Sequence, residues 1–156
     1  MNVIGNMTVS ECHEHMARGV TPVVECLVVN DRKEVLLSKR ATEPFKGMWH
    51  LPGGLIHVGE RIVDAVKRVV LEECGLQASS TKIIALHNMI DEDPRGHLIQ
   101  IVTFSKGRNQ GIKKTEKSLE AKFCSFESLP EKRLIIENHR RILKIYGNLV
   151  WAKRSF

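Results

Sequence analysis

One helical stretch between two groups of strand-forming residues is the feature that most constrains the fold of this chain. From Arg61 to Cys74, apolar residues recur at spacings of three and four, and Gly75 ends the pattern as a residue free to take positive φ. Two strand signals precede the helix. Val23–Val29 is rich in β-branched residues, and Glu34–Arg40 follows it at hairpin distance.

The second half of the chain repeats this order. Lys82–Ile90, Leu98–Phe104 and Ala121–Phe126 have the composition of strands. Ile135 to Tyr146 has the pattern of an amphipathic helix, with Ile142, Leu143 and Tyr146 on its inner side. Strands, helix, strands and helix in this order predict an α/β (α+β) fold, with a mixed central sheet flanked by helices in one domain.

Length and composition agree with a single globular domain. The chain has 156 residues, of which 42% are hydrophobic and 27% charged. We expect a domain at residues 21–150, a flexible N-terminal segment at residues 1–20, and a basic C-terminal tail at residues 151–156. No apolar run approaches the roughly 20 residues of a membrane helix, and the start lacks a secretory signal. The sequence therefore predicts a cytoplasmic protein with no membrane association.

Cysteine usage and charge narrow the classes of partner. The four cysteines lie far apart and form no CxxC pair, which indicates a reducing compartment. Cys12 stands near His13 and His15 and could bind a metal with them, although a poorly ordered N-terminus without a metal is the simpler interpretation. The net charge of +6 comes from scattered basic groups, so it favours collection of small anionic substrates over nucleic-acid binding.

The residues that carry chemistry lie around the first helix. A glycine turn, Gly53-Gly54, leads into it, and Arg68 precedes the acid pair Glu72-Glu73 by one turn. Arg68 and Glu72 stand at i and i+4 and can pair along one face. Two carboxylates beside a close backbone turn suit Mg²⁺, which could neutralise a diphosphate and activate water. From spacing alone, an ordinary surface helix with an ion pair remains an alternative.

This segment resembles the Nudix signature, G-x5-E-x7-R-E-U-x-E-E-x-G-U, where U is a bulky aliphatic residue. The matching positions are Gly54, Glu60, Arg68, Val70, Glu72, Glu73, Gly75 and Leu76. The resemblance extends over about residues 20 to 147. It implies a Nudix-type α/β/α sandwich and Mg²⁺-dependent hydrolysis, with Mn²⁺ as a substitute, of a nucleoside diphosphate linked to a group X. The substrates that the resemblance implies are ADP-ribose, a nucleotide sugar or a nucleoside triphosphate. It also implies that the protein can form a homodimer.

The resemblance also implies a role for each matching residue. It assigns catalysis to Arg68, Glu72 and Glu73, and metal binding to Glu72, Glu73 and the Gly53 carbonyl. It assigns substrate binding to Arg40, Glu25 and Gly54, and supporting roles to Glu60 and Glu120. Glu116 and Glu120 lie where family members often contribute a further catalytic acid. His50 and His57 flank the glycine turn and could touch substrate, whereas Asp91, Glu92 and Asp93 could bind a second metal or form a solvated turn.

One position departs from the signature. The family has Glu where this chain has Val69, and that Glu often ligates metal or acts as the general base. Three alternatives follow: an enzyme with another base, a weak or specialised enzyme, or a binding module that holds a nucleotide without cleaving it.

His97, which opens the strand after the Pro94-Arg95-Gly96 loop, is the candidate replacement base, because histidine is the residue type whose side chain titrates nearest neutral pH. GDP-mannose mannosyl hydrolases, a Nudix branch that attacks the sugar carbon, also lack this Glu and use a His at the start of a comparable strand. The chain resembles that branch through Glu25 and Arg40, so a GDP-sugar glycosyl hydrolase with a His base is an alternative function. It differs from the branch in having Glu72, and in having Leu55 where the branch has Arg.

Overall fold

The computed structural model of the chain describes residues 8–108 and 111–152. The strands of its sheet are β1 Thr21–Val29, β2 Val35–Arg40, β3 Trp49–His50, β4 Gly53–Leu55, β5 Ser79–Met89, β6 Leu98–Lys106 and β7 Ser118–Cys124. The helices are α1 Val9–Arg18, α2 Ile62–Cys74 and α3 Glu137–Ala152, with a short 3-10 helix at Lys132–Leu134. All the strands and both helices expected from the sequence are therefore present, with ends shifted by a few residues.

The strands form one mixed sheet in the order β3-β2-β1-β6-β5, in which β4 also pairs with β1 and β7 with β2. β1 runs parallel to β6 along its whole length, and the other pairs are antiparallel. The start of β1, at Val23–Glu25, pairs with β4 at Gly53–Leu55, whereas its end pairs with β2. β1 therefore brings the glycine turn into the middle of the sheet.

Helices cover the two faces of the sheet because side chains alternate along β1. Val24, Cys26 and Val28 pack in one buried cluster with the apolar side of α2. Leu27 and Val29 belong to a second cluster with Ile142 and Leu143 of α3. This arrangement confirms the expected α/β/α sandwich with a mixed central sheet.

Residues 8–18 differ from the flexible segment expected from the sequence, because they form helix α1. Thr8 and Glu11 make a reciprocal capping box at its start. Met16 is buried in a small cluster with strand residues and with Cys12 at its edge. The segment has few apolar residues, so periodicity did not reveal it, but the Thr-x-x-Glu cap was readable.

Gly96 explains how closely α1 approaches the loop before β6. A Cβ added at Gly96 would lie 2.2 Å from the carbonyl oxygen of Met16, closer than atoms can pack. The φ angle of Gly96 is also positive, 149°. Helix α1 is thus packed against the domain. In the part of the chain that the structure describes, no helix is both long and apolar enough to span a membrane.

Candidate active site

Two cavities adjoin at the glycine turn. The α2-side cavity has an empty volume of about 590 Å³ and contains Arg68, Glu72 and Glu73 in its wall. The α3-side cavity has an empty volume of about 620 Å³ and lies between the sheet and the start of α3. The residues that line both are Cys12, Gly53, Gly54 and Leu55. The two cavities therefore form one cleft, with the glycine turn at its centre.

Arg68 ties the loop after β4 to helix α2. Its Nε and Nη2 donate to the two carboxylate oxygens of Glu60 at 2.7 and 2.9 Å, and Nη2 also donates to the Leu55 carbonyl at 2.7 Å. The hydrogen bonds from Arg68 lower the pKa of Glu60, and the His57 backbone N–H, which donates to Glu60 Oε2 at 2.9 Å, adds to this effect. Because a guanidinium offers five donors in a planar fork, one side chain can hold loop and helix together.

Glu73 has the environment of a cation ligand. Its side chain is buried, and its Oε2 has no hydrogen-bond partner among the described residues, since His50 Nε2 lies 3.8 Å away. Burial raises the pKa of Glu73 to about 8, and the neighbouring Glu25 carboxylate adds to the rise. The positive charge of Arg40 and, to a lesser degree, the Gly53 backbone N–H oppose this rise. A buried carboxylate oxygen without a donor is costly, and a bound cation would relieve that cost.

Glu72 lies one position earlier on α2 and is more exposed. Its Oε2 accepts from Arg68 Nη1 at 3.5 Å and from Lys117 Nζ. Glu72 and Glu73 are thus two acidic residues in the wall of one cavity. Glu72 is paired with basic side chains, whereas Glu73 has one oxygen that lacks a hydrogen-bond partner among the described residues. Together with backbone, water and substrate oxygens, this donor set fits a hard divalent cation.

Val69 lies in the same wall but points into the protein core. It is 1% exposed and belongs to the buried cluster beneath β1. A Cβ added at Gly54 would lie 3.0 Å from its Cγ2, so Val69 packs directly under the glycine turn. Within residues 8–108 and 111–152, no three His, Cys, Asp or Glu side chains are grouped to hold a metal ion. Val69 therefore leaves the site with two nearby carboxylates from α2.

Glu25 enters the α3-side cavity from β1. A Cβ added at Gly53 would lie 2.4 Å from its Oε1, so the carboxylate packs against the glycine turn. Its Oε2 lies 3.0 Å from His139 Nδ1, yet that nitrogen already accepts from the Leu51 N–H at 3.2 Å. The buried Oε2 consequently has no hydrogen-bond donor among the described residues. Substrate donors are the natural partners for such a carboxylate.

His50 stands beside this group. Its ring meets that of His139 edge-on, with centroids 5.6 Å apart. Burial lowers the pKa of His50 well below its ordinary value, and His139 adds to the effect. His50 is therefore neutral near pH 7 and can offer one donor and one acceptor.

Two guanidinium groups supply positive charge to the α3-side cavity. Arg40, on β2, donates through Nε to the Pro44 carbonyl at 2.7 Å. Arg95 donates from Nε and Nη2 to the two carboxylate oxygens of Asp93 at 2.8 and 2.7 Å. Burial lowers the pKa of Arg40, and the neighbouring Arg95 lowers it further. This part of the cleft suits a phosphate or another anion.

Several predicted residues lie elsewhere. His97 lines neither cavity, and its Nε2 contacts the Asn88 side chain. Glu120 is exposed on β7 and pairs with Lys122 at 3.4 Å, also outside both cavities. The structure thus brings together Arg40, Glu25, Gly53, Gly54, Arg68, Glu72 and Glu73, and it does not bring His97 or Glu120 to them.

Other lining residues were not singled out from the sequence. Lys117, Arg95 and His139 come from two loops and from α3. Cys12, which the sequence offered only as a metal ligand with His13 and His15, lines both cavities from α1. No local spacing links them to the glycine turn. The one available signal was a pair of polar residues, Asn138-His139, at the start of an amphipathic helix.

Comparison with known proteins agrees with this geometry. The family model described as NUDIX domain matches residues 19–145. The ADP-ribose pyrophosphatase of Methanocaldococcus jannaschii is 35% identical over 123 residues, which are 79% of this chain and 70% of that protein. A human 8-oxo-dGDP phosphatase is 32% identical over 120 residues, or 74% of this chain, but the match spans only 35% of the human protein.

A solved structure has the same fold. The NUDIX hydrolase from Nitrosomonas europaea superposes with a TM-score of 0.71 at 24% identity, covering 86% of this chain and 74% of that one. The family model matches most of the chain, and the archaeal relative is similar over a comparable length. Both findings agree with the Nudix signature that contains Arg68 and Glu73. The chain belongs to the Nudix family and is a pyrophosphohydrolase.

Proposed function

We propose that this chain uses a divalent cation, Mg²⁺ with Mn²⁺ as a substitute, to hydrolyse a nucleoside diphosphate linked to a group X. The observation that supports this proposal is the buried carboxylate of Glu73, whose Oε2 lacks a hydrogen-bond partner among the described residues. Glu72, Glu73 and the Gly53 carbonyl would hold the cation. When bound, it would supply charge neutralisation and an activated water.

The residues around the glycine turn would orient the substrate. Arg68 keeps the turn against α2 through Glu60 and the Leu55 carbonyl. Arg40 is the candidate for contact with the phosphates, and Glu25 for contact with hydrogen-bond donors on the rest of the substrate. Water would add to one phosphorus while the bridging P–O bond breaks. The products are a nucleoside monophosphate and the phosphate of X, the leaving oxygen taking up a proton.

The relatives narrow the substrates to be tested. The archaeal relative is named for ADP-ribose and the human one for 8-oxo-dGDP. Both are nucleoside diphosphates or derivatives of them, so both suit a cleft with a cation site on one side and guanidinium groups on the other. We infer that one of these two classes is the substrate. A homodimer, a cytoplasmic location and the domain limits remain predictions.

Product analysis tests the proposal. Purified protein is incubated with Mg²⁺ and, separately, with ADP-ribose, 8-oxo-dGDP, a GDP-sugar and a nucleoside triphosphate. AMP with ribose 5-phosphate, or 8-oxo-dGMP with phosphate, is the expected result. Intact GDP with free sugar would indicate attack at the sugar carbon instead. Tight binding without products from any of these compounds would identify a binding module and overturn the proposal.

The general base is tested by two substitutions. If the carboxylate absent at position 69 limits turnover, Val69→Glu raises kcat. If His97 is the base, His97→Ala lowers kcat by about 100-fold or more, the usual contribution of general-base catalysis. A wild-type rate in His97→Ala would exclude that role.

A further inference from the structure

Lys117 lies where the family resemblance led us to expect an acid. The sequence offered Glu116 and Glu120 as acids near the site, yet neither lines the cleft in the structure. Lys117 does line the α2-side cavity, and its Nζ donates to Glu72 Oε2. The loop before β7 therefore places a lysine ammonium group in this cavity.

The position of Lys117 is set by hydrogen bonds between its loop and the end of α2. Thr115 Oγ1 donates to the Glu73 carbonyl at 3.2 Å, and the Lys117 N–H donates to Thr115 Oγ1 at 3.3 Å. Two residues before Thr115, the Lys113 N–H donates to the Cys74 carbonyl at 3.0 Å. The last carbonyls of a helix lack partners within it, so they are natural attachment points for a following loop.

The bond between Lys117 and Glu72 is easily exchanged. The Lys117 side chain is 60% exposed and that of Glu72 36%, and ion pairs this exposed contribute little to stability. Arg68, the other cation of this cavity, has its donors committed to Glu60, Leu55 and Glu72. A lysine ammonium offers three donors. Lys117 therefore has donors to spare, whereas Arg68 has fewer.

We propose that Lys117 is a diphosphate-binding residue that competes with the divalent cation for Glu72 while the site is empty of substrate. A cation at Glu72 and Glu73 displaces the ammonium. The freed ammonium, whose backbone Thr115 keeps beside the end of α2, then binds a phosphate oxygen of the substrate in the same cavity. This inference rests on the proposed function, because it takes the cation and the diphosphate to occupy the α2-side cavity.

Two binding titrations test the inference without turnover. The first measures Mn²⁺ binding to the substrate-free protein by electron paramagnetic resonance of free Mn²⁺. The second measures binding of imidodiphosphate, a non-hydrolysable diphosphate, at saturating Mn²⁺. In Lys117→Met we expect Mn²⁺ to bind about 3- to 10-fold more tightly, because a competing charge is gone. Imidodiphosphate should bind about 10-fold more weakly, because one charge-assisted contact is lost.

Matched variants identify the cause. Lys114→Met makes the same change of charge at an exposed residue of the same loop that lines neither cavity, and it should match wild type in both titrations. Lys117→Arg keeps the charge and should retain most of the imidodiphosphate affinity. Lys117 is exposed, so its variants should melt at the wild-type temperature.

The outcomes separate clearly. Unchanged Mn²⁺ affinity in Lys117→Met overturns the competition with the cation, and unchanged imidodiphosphate affinity overturns the role in phosphate binding. If Lys114→Met changed the Mn²⁺ and imidodiphosphate affinities as much as Lys117→Met does, the general charge of the loop would explain both changes. That result would also overturn the inference. Failure of the proposed function has a different signature, because then the wild-type protein releases no products from any nucleotide.

Discussion

The two sides of the cleft are built from very different lengths of sequence. The α2-side cavity takes nearly all its wall from the glycine turn and the helix after it, with Lys117 and Cys12 as additions. Besides the glycine turn, the α3-side cavity collects one or two residues from each of α1, β1, β2, β3, the loop before β6, β6 itself and α3. Local geometry thus determines the side where chemistry is expected, and the tertiary fold determines the side that contacts the rest of the substrate. Relatives can accordingly share a reaction and differ in substrate.

The sharpest test of this division removes the buried carboxylate from the α2 side. In Glu73→Gln, we expect hydrolysis to fall by about 1,000-fold or more, because electrostatic stabilisation of the transition state is lost. Mn²⁺ affinity should fall by at least about 10-fold. Steady-state kinetics and Mn²⁺ titration measure the two effects. Glu131→Gln, at an exposed carboxylate far along the chain, is the control. Near-wild-type activity in Glu73→Gln would mean that the chemistry lies elsewhere.

The bond network of Arg68 predicts an effect of intermediate size. Arg68→Lys keeps the charge but loses the paired donors to Glu60 and the contact with the Leu55 carbonyl. The glycine turn should then shift relative to α2 and lower kcat by about 100-fold, since small displacements of catalytic groups are costly. Kinetics with two different substrates of the class that the wild-type protein hydrolyses should show the same factor, because the change lies on the α2 side. A substrate-dependent factor would contradict the division between the two sides.

Cys12 provides a probe of the boundary between the two sides. It lines both cavities and is partly exposed, whereas the other cysteines, Cys26, Cys74 and Cys124, are buried. Burial raises the pKa of the Cys12 thiol, so labelling with a bulky maleimide needs mildly alkaline buffer. We expect the label to lower activity by about 10-fold, as a misplaced substrate would. Imidodiphosphate with Mn²⁺ should slow labelling.

The control for this experiment is Cys12→Ala, which should keep its activity and lose its sensitivity to the maleimide. Full activity of the labelled wild-type protein would instead place the substrate away from α1. Mass spectrometry locates the label and excludes reaction at the buried thiols.

A smaller effect is expected on stability. Without metal, the folded protein holds a proton on Glu73 up to about pH 8, whereas the ordinary value is 4.5. Between these values the folded state binds more protons than the unfolded chain, so the free energy of unfolding falls as pH rises. The fall is at most about 1.4 kcal/mol per pH unit. Urea denaturation in EDTA across this range measures it, and Glu73→Gln should lack this component. Equal slopes in the two proteins would contradict the raised pKa.

Much of the fold was readable from the sequence because its signals are local. The helix ending at Gly75 and the β-branched strands are predicted by periodicity and turn chemistry, and the structure confirms them. The α2 side of the cleft follows from spacing, since i and i+4 positions of one helix must be neighbours. Periodicity did not predict helix α1, because the helix buries little more than Met16 and Cys12, too few residues to make a periodic pattern.

The α3 side could not be predicted in this way. Glu25 and His139 are more than a hundred residues apart along the chain, and they meet only because β1 and α3 share one face of the sheet. His97 is a second residue whose surroundings the local sequence did not indicate. Its place after a loop makes it a candidate base, whereas in the structure its Nε2 contacts Asn88 Oδ1 and it lines neither cavity. Contacts of this kind depend on strand order and register, which no single segment encodes.

The contact between Gly96 and helix α1 has a consequence for the evolution of this scaffold. Any side chain at position 96 would push the helix outward, because its Cβ would overlap the Met16 carbonyl. Cys12 and Met16 would move with the helix and widen the α3-side cavity, while Glu72 and Glu73 on α2 would stay in place. A single hydrogen-to-methyl change is therefore expected to move the wall that α1 gives to the cleft while leaving the two carboxylates of α2 in place. Position 96 is accordingly a place where a descendant, or a designer, could exchange one nucleotide derivative for a bulkier one.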